Sequence, residues 1–486
     1  MGLSVSCDPR HADGFPESSG GIASRSRSRA NDIDCGCPRA SHNGIFCGMG
    51  AKSSGFRESL VPEPAKPRHL VFNMDVNKTI LMLDSVTGKK AVDVVNETLA
   101  NAAWGEVVDG KWVLRCSKPS VCRPALDGDR SMDLISYAEW VNKQYPGSEN
   151  KKARMNLNGS FTEKGHPGEK MKTLAKTMLS ALTWPDGSET RILPSFFELL
   201  LWAKREKRSF SLCFRTFGED LPEIAAELNS FCEGRHPQYP DVRMDGSDGG
   251  PDYRFDATCI QQVGTFHRDK NTISLIMGTT DQAGEGRHKD VKDKSLQFYR
   301  SMQGVRIFSG FDVVKEKLET MTGRCGTYGL RDYFAYWKEK KMTSDGGKVF
   351  LYNPTRETCR HELFFDDNIH FSDCHIVQPI DVCAPERKHW VVPLLQTHLC
   401  RAEPLESVPD RQWFVKQVQR LEKGYEIKLC ARERLLALLW KVVKLKRQGR
   451  VFPVFEENTV ASFDAWAALR RGDNELSLCE EEGEAY

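Results

Sequence analysis

Short apolar runs that stop abruptly at polar or acidic residues recur along this chain, and segments of helical period lie between them. In Arg68–Leu83, RHLVFNMDVNKTILML, the run Leu70, Val71 and Phe72 predicts a strand buried on both faces, with Asp75 at its carboxyl end. A second run, SFSLCFRTFGED at Ser209–Asp220, ends in Thr216 and Gly218, and a third, ELFFDDNIH at Glu362–His370, ends in Asp366 and Asp367. Between these two lies GGKVFLYNP, in which Lys348 follows two glycines and opens another apolar run. Helices are predicted at Asp93–Trp104, within LISYAEWV and MKTLAKTMLSAL, and at Pro194–Lys207, where a proline in the first turn, an apolar stripe and a basic end coincide. LPEIAAELNSF predicts another helix. YRFDATCIQQVGTF and TISLIMGTT read as strands, and GEGRHKDVKDK as an exposed loop. VRIFSGFDVVKEKL and LRDYFAYWKEKK supply a strand and one or two helices. DRQWFVKQVQRLEKG and ARERLLALLWKVVKLKRQG carry apolar residues at helical spacing with basic faces, and CEEEGEAY is an acidic tail.

Composition narrows the classes. A chain of 486 residues has room for two or three domains, and 40% hydrophobic content is enough for a core. A formal net charge of +2 gives no reason to expect a nucleic-acid or membrane partner. Sixteen cysteines without framework spacing suggest reduced thiols and a cytoplasmic location. No apolar run reaches about 18 residues, which argues against a membrane-spanning helix.

Residues 1–66 are rich in Gly, Ser, Arg and Pro and predict a disordered tail. Gly2 and Ser6 in MGLSVSC fit the acceptor pattern for N-myristoylation, with Cys7 as a palmitoylation candidate, so membrane association through two acyl chains is one expectation. An unmodified tail or part of a transit peptide are the other readings, the latter opposed by Asp8, Asp13 and Glu17. Cys35, Cys37, His42 and Cys47 present ligand types that suit zinc, but the first pair is set unusually close, and incidental cysteines in a flexible tail are the reading preferred. The stiff segment PEPAKP, Pro62–Pro67, marks the boundary before the first strand.

The ordered set of a strand followed by DxNxT, a strand with a terminal Thr, a Lys, and a strand with DD resembles the haloacid dehalogenase-like (HAD) phosphohydrolase superfamily, over roughly residues 68–380. That resemblance implies an α/β fold: a three-layer, Rossmann-like parallel sheet with cap insertions. The core would take 67–84 and 191–400, a cap 85–190, a second cap element part of 225–345, and a helical extension 401–486. It also implies a magnesium-dependent hydrolase acting on a phosphorylated small molecule. Asp75 would be the nucleophile. Asp75, Asp366, Asp367 and the backbone carbonyl of Asn77 would surround Mg²⁺, and Thr216 and Lys348 would hold the phosphoryl oxygens.

The chemistry is consistent with those residue types. A carboxylate attacks phosphorus to form an acyl phosphate that water then hydrolyses, which divides one hard step into two. Two anions repel, so positive charge must stand between them, and a hard cation held by carboxylates supplies it. Lys338, Lys340 and Lys341 compete with Lys348 for the lysine role, and Asp373 is a further acidic candidate. His267, His288 and His361 are expected to be surface or structural residues rather than catalytic ones. One departure stands out: the family's phosphatases carry a second aspartate two residues after the nucleophile as general acid and base, and here that position is Asn77. An amide exchanges no proton near neutral pH. The alternative to a phosphatase is therefore a catalytically impaired relative that binds a phosphorylated ligand or a protein.

Overall fold

The computed structural model describes residues 67–447, apart from 83–87, 125–133, 184–190, 271, 354–358, 371–373, 384 and 386–390. The tail with Gly2 and Cys7, the set Cys35, Cys37, His42 and Cys47, Asp373 and the acidic end lie outside these residues.

Strand β1 (His69–Asp75) is followed by an insertion of helix α1 (Ala91–Ala102), strands β2 (Trp104–Val108), β3 (Lys111–Leu114) and β4 (Ile135–Ser136), and helices α2 (Tyr137–Gln144), α3 (Lys151–Gly159) and α4 (Lys172–Ala181). The three strands form their own antiparallel sheet, β3-β2-β4. Helix α5 (Pro194–Arg205) leads into β5 (Phe210–Thr216) and α6 (Leu221–Cys232). Next come β6 (Val263–Arg268), β7 (Ile273–Met277), α7 (Leu296–Arg300), β8 (Arg306–Ser309), α8 (Phe311–Thr322), β9 (Gly326–Arg331) and α9 (Phe334–Glu339). The remainder comprises β10 (Lys348–Tyr352), β11 (Arg360–Asp366), β12 (Val377–Asp381), α10 (Val391–Leu395), β13 (Leu399–Arg401), α11 (Pro404–Ser407) and α12 (Trp413–Arg447).

The central sheet runs β13-β11-β1-β5-β9-β6-β7-β8. Its first six strands are parallel, and β7 and β8 are antiparallel to their neighbours. The fold is thus α/β and Rossmann-like, with a mixed, mostly parallel sheet where an all-parallel one was expected. The cause is local: β6 and β7 are separated only by residues 269–272, far too few for the crossover that parallel pairing demands.

Strand alternation decides which side chains face which layer. Leu70, Phe72 and Met74 of β1, Phe210, Leu212 and Phe214 of β5, and Leu363 and Phe365 of β11 join one core with α1, α5, α6 and the first turns of α12. The intervening positions face the opposite layer, formed by α8 and a separate two-stranded parallel sheet of β10 and β12. Asp75, Arg215 and Asp366 belong to this second set by parity. Lys348, the first residue of β10, therefore reaches them from the overlying layer. Buried Arg215 fixes that overlay, donating to both carboxylate oxygens of Asp332 at 2.9 and 2.6 Å and to the carbonyl of Val349 at 2.9 Å.

Helix α12 is one continuous element where two segments were expected. Trp413, Phe414, Val418, Leu421 and Tyr425 bury its first half against the main core. Among the described residues, no helix is long and apolar enough to cross a membrane.

Candidate active site

Asp75, Thr216 and Asp366 end three adjacent parallel strands, so all three stand at one edge of the sheet, the carboxyl edge where open α/β sheets bind ligands. The Lys348 ammonium lies between the acids. It donates to Asp75 Oδ1, to Asp366 Oδ2 at 2.8 Å and to the Arg215 carbonyl at 3.4 Å, and it sits 5.2 Å from the ring centre of Phe217. Asp366 and Lys348 are buried, at 0% and 1% exposure, and Asp75 is 7% exposed. Lys348 is thus the lysine of the site, whereas Lys338 and Lys341 are exposed and Lys340 lies over Tyr336.

Gly346 and Gly347, just before Lys348, permit a close approach of the chain: a Cβ on Gly347 would collide with the carbonyl of Ile376, and one on Gly346 with the side chain of Lys340. Their job is to bring β10 against the start of β12, which sets Lys348.

A relay of hydrogen bonds joins the acids. Thr79 donates to Asp75 Oδ2 at 2.9 Å and accepts from the backbone N–H of Asp367 at 3.0 Å. Asn368 donates its backbone N–H to Asp366 Oδ1 and its side-chain amide to Asp367 Oδ1, each at 2.9 Å. Asp75, Asp366 and Asp367 each offer one oxygen, and these three oxygens lie within 4.8 Å of one another. Burial, then the charge of Asp366, push the Asp75 carboxyl up to about 7, against the pull of Lys348. Burial and both neighbouring acids raise Asp367 well above the usual carboxylate range. Burial alone would lower the Lys348 ammonium, but Asp366 and Asp75 hold it above its ordinary value. One lysine therefore leaves this acid cluster under-compensated. Hard oxygen donors with unmet negative charge fit a small divalent cation such as Mg²⁺, which takes one or two carboxylates and keeps several waters. Asp75, Asp366 and Asp367 are the residues that would hold it.

Asn77 and Thr216 do something the sequence did not foretell. The Asn77 amide donates to Asp220 Oδ2 at 2.9 Å, and its own Oδ1 is buried without a partner among the described residues. The Thr216 hydroxyl accepts from the N–H of Gly218 at 2.8 Å and lies 3.5 Å from the same Asp220 oxygen. All three line a cleft of about 670 Å³ that also exposes Asp75 and Lys348, with Phe217, Phe334 and Trp337 as an aromatic wall. Phe217 and Trp337 stack at 5.3 Å between ring centres. Arg331, at the carboxyl end of β9, lines the cleft too; it pairs with Glu285 at 2.7 Å and donates to the Phe217 carbonyl at 3.3 Å.

Residues 85–190, expected to close over the site, contribute no side chain to this cleft among the described residues; its lip comes from 217–223, 285 and 331–337. His267, His288 and His361 lie outside it, His267 bonded to the Lys294 carbonyl and His361 stacked on Tyr425. Comparisons with protein-family models, curated proteins and solved structures return no match for the chain.

Proposed function

We propose that the chain is a HAD-like, magnesium-dependent phosphohydrolase that works on a phosphorylated small molecule through an aspartyl phosphate on Asp75. The observation that carries this reading is convergence: Asp75, Thr216, Lys348 and Asp366, distant in sequence, meet at one sheet edge around a group of three carboxylates.

Asp75 attacks phosphorus in line, and the bond to the leaving oxygen breaks as the acyl phosphate forms. Water then attacks phosphorus, the bond to Asp75 breaks, and inorganic phosphate leaves. Lys348 offsets negative charge next to the attacking oxygen, and the Thr216 hydroxyl stands at the rim where phosphoryl oxygens would lie. Asp75, Asp366 and Asp367 would hold Mg²⁺, which would supply the positive charge that lets an anionic nucleophile meet a phosphate. The aromatic wall gives the alcohol portion of the substrate an apolar surface.

The second reading, a phospho-ligand-binding relative without turnover, is favoured by Asn77, whose amide is committed to Asp220. The full chain incubated with 4-nitrophenyl phosphate, with and without Mg²⁺, separates the two. Magnesium-dependent release of phosphate that is lost in Asp75→Asn is the result expected of the enzyme. Phosphate-ester binding without release supports the binding module.

A further inference from the structure

We propose that Asp220 is the proton-transferring residue of this cleft, general acid to the leaving oxygen and then general base toward water. The inference rests on the phosphoryl-transfer reading above and assigns the part that Asn77 cannot play.

Asp220 stands at the N-cap of α6, where an aspartate ordinarily accepts from the N–H of the second or third helical residue. Here its side chain makes no capping bond. The chain removes one of the two donors, because the second helical residue is Pro222. The third, Glu223, gives its N–H to the Asp220 backbone carbonyl at 3.1 Å. Released from capping, the carboxylate turns into the cleft, where Asn77 Nδ2 reaches its Oδ2 at 2.9 Å. No donor among the described residues reaches Oδ1, which leaves that oxygen for a ligand or water.

Gly218 is an independent sign that this placement is built. A Cβ at 218 would collide with Asp220 Oδ2 and lie 3.4 Å from the Thr216 hydroxyl, so only glycine leaves the carboxylate its position. Neighbouring acids do not share it: Glu219 and Glu223 line the cleft, but their side chains are 64% and 54% exposed and face Arg331 and Arg191. Asp220 is 5% exposed. Its tether matters as much as its burial, since Asn77 lies two residues after the nucleophile and fixes the distance between the two carboxylates. The amide in the family's acid-base position thus serves as a positioning group for an acid from another strand end.

In the first step Asp220 gives its proton to the leaving oxygen as the phosphorus–oxygen bond breaks. In the second it takes a proton from the attacking water as the bond between phosphorus and Asp75 breaks, which returns it to its starting state.

The test compares phenyl phosphate with 4-nitrophenyl phosphate, esters of similar shape whose leaving groups differ in need for a proton. In Asp220→Asn, hydrolysis of phenyl phosphate is expected to fall by about 10²-fold or more. Transfer of the first phosphoryl group from 4-nitrophenyl phosphate persists, and the intact mass of the protein shows an accumulating phosphate adduct, because water is no longer deprotonated. Asp220→Glu recovers part of the loss. Gly218→Ala, which leaves every ionisable group in place, gives the same ester-dependent defect in weaker form. Circular dichroism of each variant identifies one that fails to fold, and the remaining two then decide. Wild-type hydrolysis of both esters that is unchanged in all folded variants, with no adduct, overturns the assignment alone. A wild-type protein that neither hydrolyses nor acquires phosphate from either ester overturns the phosphatase reading and this assignment together.

Discussion

Lys348 balances two buried carboxylates at once, and its removal is the sharpest single-residue probe of the site. Lys348→Met leaves Asp75 and Asp366 facing each other without compensation, which is expected to cost about 3–5 kcal/mol in chemical denaturation. Added Mg²⁺ should recover part of that loss, since a bound cation replaces the missing charge. A Lys348→Met protein as stable as the parent, or indifferent to Mg²⁺, contradicts the arrangement. Asn77→Asp sets a second carboxyl at hydrogen-bond distance from Asp220 and removes the amide donor to it, for an expected loss of about 1–3 kcal/mol by the same measurement. Asp75, Thr216, Lys348 and Asp366 were legible because each ends or opens an apolar run, which anchors a polar group at a sheet edge. Asp220 was not: an acid two residues after a glycine at a helix start reads as a cap, and only Pro222 hinted that a capping donor was missing.

Strands β10 and β12 form an element pair outside the main sheet whose whole effect on the site is to present Lys348. Gly347→Ala forces β10 away from Ile376 and is expected to cost about 1–3 kcal/mol while weakening turnover more than folding, read by thermal unfolding beside kcat. A second element-level consequence concerns β11 and the residue before β13. Burial, with help from His398, holds the His361 imidazole down to about 3, and burial holds His398 down to about 4. Both are neutral in the folded protein and protonate more readily once unfolded, so between about pH 6.5 and 4 the unfolded state binds more protons. Stability from these two groups is present above pH 6.5 and is lost as pH falls toward 4, by up to about 1.4 kcal/mol per pH unit for each histidine. His361→Gln should flatten that slope in denaturation series from pH 7 to 4; an unchanged slope contradicts it. The strands β1, β5, β6, β7, β8, β10 and β11 were visible as apolar runs, whereas β2, β3, β4, β9, β12 and β13 were missed. GTYGLR carries two glycines and little apolar weight, and it is a strand because β5 and β6 enclose it and because Phe255 and Leu221 occupy the space a side chain at Gly329 would need.

At the scale of the molecule, the proposed cation site would couple metal binding to proton release. The Asp75 carboxyl, raised to about 7, must lose its proton to bind a cation, so magnesium affinity should rise as pH increases through about 7. Calorimetric titration at pH 6 in buffers of different protonation heat is expected to show proton release that is reduced in Asp75→Asn, with Asp367 as the other carboxyl raised above its usual range. The α/β class was readable from the alternation of runs and helices. The antiparallel edge was not, since periodicity carries no strand direction, and neither was the cleft wall, since Phe217, Arg331 and Trp337 meet only after the crossovers from β5 to β6 and from β8 to β9. The central claim is that Asp75 carries phosphate during turnover, and acid quench of the full chain turning over 4-nitrophenyl phosphate with Mg²⁺, followed by peptide mass analysis, tests it most directly. A phosphate adduct on Asp75 that needs Mg²⁺ and disappears in Asp75→Asn is the result expected. Phosphate on another residue, or turnover that survives Asp75→Asn, contradicts the account.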